Sequence, residues 1–260
     1  MSRSNLPLSG NGESRTSYLG RLLDVLDVAV THERVPLQMT DIAAAAGVPT
    51  STASRLVALL VERGFLVALP GSGYVAGPRM LHVAVHALDQ IHDADRLKAA
   101  VEELSERTGE SVSAGLLVGD EIVLVARKEP EKSLRAVARL GDIIAPHTSA
   151  MGKAMLARLP AERQEAVLRA AVGDDAPQVL REMRPDMAAA RADAYAVDEE
   201  TYTVGLRCRA APLLDRDGHA VGGISVAGPS ARFTRESATT CLPDLLAEAG
   251  RLSPKSRSSQ

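Results

Sequence analysis

The chain has 260 residues, 45% of them hydrophobic, enough for two domains with buried cores. Aromatics make up only 2% and Trp is absent, so the cores must be Leu, Val, Ala and Ile, and nucleic-acid binding by base stacking on aromatic side chains is disfavoured. The net charge of −3 rules out a bulk polycation, so any DNA contact must rest on local placement. Residues 1–80 carry seven Arg, no Lys and six acidic residues, 7 − 6 = +1, and the remainder carries 23 − 27 = −4. That asymmetry has the sign expected of a DNA-facing head on an acidic body. Cys208 and Cys241 form neither a disulfide framework nor a metal site by spacing. No apolar run approaches the roughly 20 residues of a membrane span, and no secretory signal opens the chain. A cytoplasmic protein without a membrane partner is expected.

Residues 1–14 read as a disordered arm. A helix is expected over 17–31, with Leu19, Leu22, Leu23, Leu26 and Val30 on one face. Arg21 lies on its other side, either reaching a DNA phosphate or simply solvated. The stretch Thr40–Arg63 has the pattern of a helix-turn-helix. Thr40 is read as the N-cap of a short helix with Asp41 in its first turn, Gly47 as its stop, and Thr50 or Ser51 as the cap of a second helix whose Leu56, Leu59 and Leu60 face a core. Thr50, Ser51, Thr52, Ser54 and Arg55 then crowd the first turns of that helix. Short or basic hydrogen-bonding residues there suit a recognition helix, whose N-terminal residues meet base edges in the major groove. A plain helical hairpin is the alternative. Next, Phe65–Val67 and Tyr74–Val75 flank the turn Pro70-Gly71-Ser72-Gly73. This makes a wing, with Ser72 and Tyr74 beside the DNA backbone, and residues 15–78 become a winged helix-turn-helix domain. Gly71–Ala76 also fits G-x-G-x-x-A, but no helix opens after it, so a nucleotide site is rejected.

Residues 79–96 read as a linker helix whose Met80, Leu81, Ala84, Val85 and Leu88 would pack against a partner subunit, with a break near His92–Asp95. His82, His86 and Asp89 share a face, but Val83 stands where a zinc protease needs Glu, so no metal is expected. Residues 97–250 form the second domain. It has a helix to Arg107, strands at 111–118, 121–127 and 133–140, and a loop at Pro146–Lys153 opening a helix to Leu159. Helices at Ala161–Ala171 and Pro185–Tyr195 follow, then strands at 206–214 and 220–227 and a final helix from a Thr234 cap to Gly250. Residues 251–260 read as a disordered tail. The fold class is α+β, an antiparallel sheet flanked by helices. Gly152-Lys153 is not a phosphate loop, because His147 replaces the first Gly and Ala154 the Ser/Thr. Gly223–Ala227 falls one residue short of G-x-S-x-G and places Ser225 within a strand, so a hydrolase with His147 as base is disfavoured. No catalytic residue, enzyme activity or cofactor is expected.

Several motifs in this order resemble the IclR family of bacterial transcription regulators over roughly residues 15–250. They are Arg21–Asp27, Ala46–Leu56 (A-G-V-P-T-S-T-A-S-R-L), Tyr74–Gly77, Glu102–Val112, His147–Ala154, Gly205–Pro212 and Ser225–Pro229. The resemblance implies a GAF-like effector-binding domain for a small molecule, often an organic or aromatic acid. It also implies a homodimer or dimer of dimers on pseudo-palindromic double-stranded operators, with the protein acting as a repressor. Ser149, Ala150 and Met151 match the loop whose backbone amides meet a ligand carboxylate. Asp198, Leu206, Cys208 and Ser225 match the walls, and Ala227 replaces a Ser seen in members that take small oxo-acids. With Met151, Leu206 and Val226, that loss points to a larger or more apolar effector. The alternative is a sensory domain kept only as a dimerisation scaffold.

Overall fold

The computed structural model describes residues 17–32, 34–89, 94–130 and 138–253. The 1–14 arm and the tail beyond 253 lie outside them, as does the first half of the break expected at His92–Asp95, whereas Ala94 and Asp95 are helical. The chain divides into two compact units between His92 and Asp93.

The first unit holds α1 (Tyr18–Thr31), α2 (Met39–Ala45), α3 (Thr50–Glu62), the antiparallel pair β1 (Leu66–Leu69) and β2 (Gly73–Ala76), and α4 (Pro78–Asp89). Ser17 caps α1, its Oγ accepting from the Gly20 amide at 2.9 Å. The core is Val25, Ala29, Leu37, Ile42, Leu56, Val57, Leu60 and Leu66. Gly47 makes the turn between α2 and α3 at φ +65°, a backbone region that side chains with a Cβ rarely adopt. Three local expectations are corrected. On α1 the core side is Val25 and Ala29 with Leu22 and Leu26, whereas Leu19 and Leu23 stand 69% and 62% exposed. Leucine on both sides of α1 widened the apparent stripe. Thr40 is not a cap: α2 starts at Met39, with Gln38 at the N-cap. Nor do Thr50 or Ser51 cap α3, because Pro49, locked near φ −58°, takes that position. The hydroxyls of α3's first turn are therefore not consumed by capping.

The second unit is a five-stranded sheet between two helical layers. Its elements are α5 (Ala94–Thr108), β3 (Ser111–Val118), β4 (Glu121–Lys128), α6 (Ala150–Leu156), α7 (Ala161–Val172), α8 (Ala176–Asp193), β5 (Ala196–Glu199), β6 (Leu206–Leu214), β7 (Ala220–Pro229), α9 (Arg235–Thr240) and α10 (Leu242–Leu252). The strand order is β4-β3-β7-β6-β5, antiparallel throughout. Period-two alternation divides the sheet's side chains between two cores. Val112, Ala114, Ala211, Leu213, Ile224 and Val226 pack under α5, α9 and α10. Ile122, Leu124, Ala196 and Ala210 face α6, α7 and α8.

Four element assignments change in this unit. No strand covers Ala138–Leu140 (residues 133–137 are outside the described set), and Ile143 instead makes a single bridge to Val123. The four-residue β5 was not anticipated. Pro185 does not start a helix but lies inside α8, where Arg181 and Pro185 are exposed and water can take the carbonyl freed by the missing N–H. The final helix is two helices broken at Cys241, with Pro243 in the first turn of α10. Since α10 continues to Leu252, the expected tail begins after Ser253.

Candidate DNA-binding surface and effector site

On α3 the two sides separate cleanly. Ala53, Leu56, Val57 and Leu60 are buried in the first unit's core, while Thr50, Ser51, Ser54 and Arg55 are exposed and Thr52 is half-buried. Positions 50, 51, 54 and 55 span one turn and share an arc of the helix. Thr40 is exposed on α2, and Arg21 is half-buried on α1. Ser72 is exposed at the wing tip, its amide donating to the Leu69 carbonyl at 3.0 Å. Tyr74 behaves differently: its ring packs against the core, and its backbone exchanges hydrogen bonds with Leu37 at 2.8 and 3.1 Å. It anchors the wing through its packing and its backbone.

Among the described side chains of helix α4 none is buried. Leu81, Val83, Val85 and Leu88 are 66%, 48%, 45% and 53% exposed. His82 and His86 stack on this helix, His86 Nδ1 lying 2.9 Å from the His82 carbonyl oxygen. Among the described residues no cluster of metal-ligating side chains occurs.

In the second unit most of the expected effector residues converge on one end of the sheet, on the α6 face. Register places Arg127, Ser113, Ser225 and Ala210 in one row across β4-β3-β7-β6. Ser111, Ala227, Cys208 and Asp198 form the next row across β3-β7-β6-β5. The start of α6 lies over this face. Ser149 is the N-cap: its Oγ accepts from the Gly152 amide at 3.0 Å and donates to the Ala145 carbonyl at 2.7 Å. Its hydroxyl is committed, while the first-turn amides of Ala150 and Met151 are left without partners inside the helix. Gly152 admits this geometry, since a Cβ there would stand 2.4 Å from the Pro146 Cα. The Met151 side chain packs down over Gly115 and Gly223. Lys153 is held by Asp186 of α8 at 2.8 Å, which ties α6 to α8 and gives the lysine a structural task.

Asp198 is 1% exposed, and its Oδ1 accepts from the Thr201 and Tyr202 amides at 2.8 and 3.2 Å. Burial pushes its carboxyl above the usual range, against these hydrogen bonds and the charge of Lys153. Burial, with the Asp198 charge adding to it, raises the Cys208 thiol to about 12, so this sulfur is a neutral group at physiological pH. Ser225 Oγ donates weakly to the Ser113 carbonyl at 3.5 Å. Ser225 lies mid-strand in β7, not at a strand-to-helix elbow. His147 is half-buried beside α6, burial lowers its pKa from the usual imidazole range, and its Nδ1 has no hydrogen-bond partner among the described residues. Val226 points to the opposite core, so it does not help shape this basin as the sequence suggested. Two residues of these rows escaped sequence reasoning: Ser113 and Arg127.

A separate cleft of about 550 Å³ opens at the C-terminal end of α6, lined by Arg158, Pro160, Gln164, Arg191, Asp217 and His219 among others. Arg158 Nη2 donates there to the Arg191 carbonyl at 3.1 Å, capping the end of α8. The cleft contains no residue of the effector set.

Residues 85–254 match the family of the bacterial transcriptional regulator IclR C-terminal domain, and residues 19–70 match the IclR helix-turn-helix domain. The HTH-type transcriptional regulator BhcR of Paracoccus denitrificans is 32% identical over 252 residues, covering 90% of this chain and 84% of that protein. The transcriptional repressor AllR of Escherichia coli K12 is 30% identical over 209 residues, covering 76% and 75%. Among solved structures, the Thermotoga maritima IclR superposes with a TM-score of 0.68 at 25% identity, covering 90% of this chain and 96% of that one. An IclR homologue from Microbacterium hydrocarbonoxydans in complex with 4-hydroxybenzoate shares the fold, with a TM-score of 0.68 at 22% identity and coverage of 91% and 99%. An exposed polar face on the second helix of a helix-turn-helix, a sheet domain with rows of polar side chains under α6, and relatives matching across both units agree: the chain belongs to the IclR family of transcription regulators.

Proposed function

We propose that this regulator is a repressor that binds a pseudo-palindromic operator as a homodimer or dimer of dimers, and releases or tightens on DNA when a small organic acid occupies the basin under α6. The observation that carries the DNA half is the exposed row Thr50, Ser51, Ser54 and Arg55 on α3 above a fully buried opposite side. Thr52, Thr40, Arg21 and Ser72 supply flanking contacts, with Tyr74 holding the wing. The unpartnered apolar surface of α4 supports pairing of two copies, since monomers rarely leave such a surface to water. In this proposal the winged head spans 15–78, the linker 79–96 and the sensor 97–250. The protein works in the cytoplasm and catalyses no reaction. Among the described residues no single helix is long and apolar enough to cross a membrane.

The sensor half rests on the polar rows of the sheet under α6, with the Ala150 and Met151 amides opening that helix and Asp198, Cys208, Ser225 and Leu206 on the strands beneath it. A distant member of the same fold holding 4-hydroxybenzoate supports an acid as the ligand class. Effector control requires only that the acid bind one arrangement of the two heads better than the other. The experiment is selection of bound sequences from random duplex DNA with the full chain. An enriched inverted repeat, lost when Ser54 and Arg55 are both replaced by Ala, is the expected result. Enrichment without dyad symmetry would remove the dimeric operator, and no enrichment would remove sequence-specific binding.

A further inference from the structure

We propose that the cleft at the C-terminal end of α6 is a second small-molecule site, suited to a phosphate monoester with a hydroxylated body, the chemistry of a sugar phosphate. It contains none of the effector residues and does not depend on the acid effector proposed above.

Its size and its walls come from four elements. The cleft has a volume of about 550 Å³, within the range of roughly 300–1,000 Å³ that holds small ligands. Around it meet the end of α6 at Arg158, the start of α7 at Pro160, the end of α8 at Arg191, and the turn between β6 and β7 at Asp217 and His219.

The charge of the cleft is unbalanced. Two arginines line it against one acid, Asp217. Elsewhere in this unit Arg107, Arg163, Arg207 and Arg209 each hold a carboxylate, at 2.6 to 3.1 Å. Arg158 and Arg191 pair with none among the described residues. Arg158 is half-buried, and its Nη2 donates only to a neutral acceptor, the Arg191 carbonyl at 3.1 Å. Its Nε is buried and has no acceptor among the described residues. A buried guanidinium N–H without an acceptor is costly, and such an orphan marks a place where an ion or a water belongs. Nη2 carries a second N–H, so a small turn of the side chain toward the cleft offers Nε and Nη2 together as a fork. Arginine makes that fork with two oxygens of one oxyanion.

The start of α7 favours the same charge. Pro160 holds its N-cap and supplies no side-chain cap, so the first amides of this twelve-residue helix stay open. Two guanidiniums and an open helix start match the double charge of a phosphate monoester better than the single charge of a carboxylate. Asp217 repels that charge. The phosphate therefore lies toward Arg158 and Arg191, while the Asp217 carboxylate and the His219 ring meet hydroxyls of the body.

The test is calorimetric titration of the full chain with glycerol 3-phosphate, inorganic phosphate, glycerol and citrate. Glycerol 3-phosphate should bind saturably, inorganic phosphate more weakly and glycerol not at all. Arg191→Gln removes an exposed guanidinium that makes no hydrogen bond among the described residues. It should weaken the ester about ten-fold with the melting temperature unchanged. Arg158→Gln should weaken it at least as much. Asp217→Asn should tighten inorganic phosphate about two-fold and narrow the advantage of the ester over it. Absence of saturable binding by both phosphate compounds, or equal binding by wild type and Arg191→Gln, overturns the site. Citrate that binds as tightly as the ester overturns the phosphate class, and an Asp217→Asn protein with both affinities unchanged overturns the placement of the body. Should Arg158→Gln not fold, because Arg158 also caps α8, Arg191→Gln decides alone.

Discussion

Replacing Arg55 by Ala removes a cation from the exposed arc of α3 and touches none of Ala53, Leu56, Val57 or Leu60 beneath it. Stability should therefore stay within about 0.5 kcal/mol of wild type. An arginine that reads a base edge contributes about 1–3 kcal/mol. A dimer presents the residue twice, so operator affinity should fall by about 2–6 kcal/mol, from roughly 30-fold to more than 10⁴-fold. The assay is fluorescence anisotropy of a labelled operator duplex titrated over a range of salt concentrations, with a scrambled duplex as control. If Arg55 reads a base, the loss is concentrated on the operator and the salt slope changes little. If it holds a phosphate, both duplexes weaken and the slope drops by about 0.9 per copy. A folded Arg55→Ala protein that binds the operator within about two-fold of wild type would refute the assignment of α3's exposed arc.

Other outcomes follow from other parts of the molecule. Placing Glu at both Leu81 and Leu88 puts charges on the unpartnered surface of α4. The variant should run as a folded monomer in light scattering, and an unchanged oligomer would move the interface elsewhere. Gly152→Ala drives a Cβ to 2.4 Å from the Pro146 backbone, where no flexible side chain can yield. A loss of about 1–3 kcal/mol and a melting temperature lower by several degrees are expected; a melt matching wild type would contradict the close approach. Glu199 is gripped by Arg207, Arg209 and Arg235, which hold its carboxyl at about 2 despite the opposing effect of burial. Since this folded value lies below the unfolded one, the unfolded chain binds more protons between them, so the stabilisation is complete above about pH 4.5 and is lost as pH falls toward 2. Glu199→Gln should cost on the order of 1–2 kcal/mol at pH 7 after solvent screening. The difference from wild type in denaturant melts should shrink through that acid window, and a pH-independent difference would contradict it.

The head was legible because its signals are local. Gly47 stops one helix, Pro70-Gly71-Ser72-Gly73 turns a hairpin, and the apolar positions of α3 repeat at helical spacing. Cap positions were misplaced, by two residues at α2 and by one at α3, because Thr40 and Thr50 are good caps in isolation, while Pro49 fixes the α3 start through its ring. In the sensor, β5 (Ala-Val-Asp-Glu) is too short and too polar to announce itself, and it holds its place by pairing with β6. Val226 was assigned to the wrong face although its own neighbours signal the error: Ser225 and Ala227 belong to the basin, so the residue between them must point away. Arg127 was hidden for the opposite reason. Its placement depends on breaking the alternation at Val125, and only the pairing of β4 with β3 reveals that slip. The basin's charge was therefore unreadable from spacing, whereas the helix start at Ser149 and its glycine were visible.

In the proposed function one molecule couples an operator-reading head to an acid-binding sensor. It is tested most directly by measuring the affinity of the full chain for its selected operator with and without a saturating acid, chosen as one that binds the sensor. Operator affinity should change by at least about five-fold, the lower range of allosteric coupling, with the reciprocal change in acid affinity when operator is present. An acid that binds the sensor while operator affinity stays the same would contradict it.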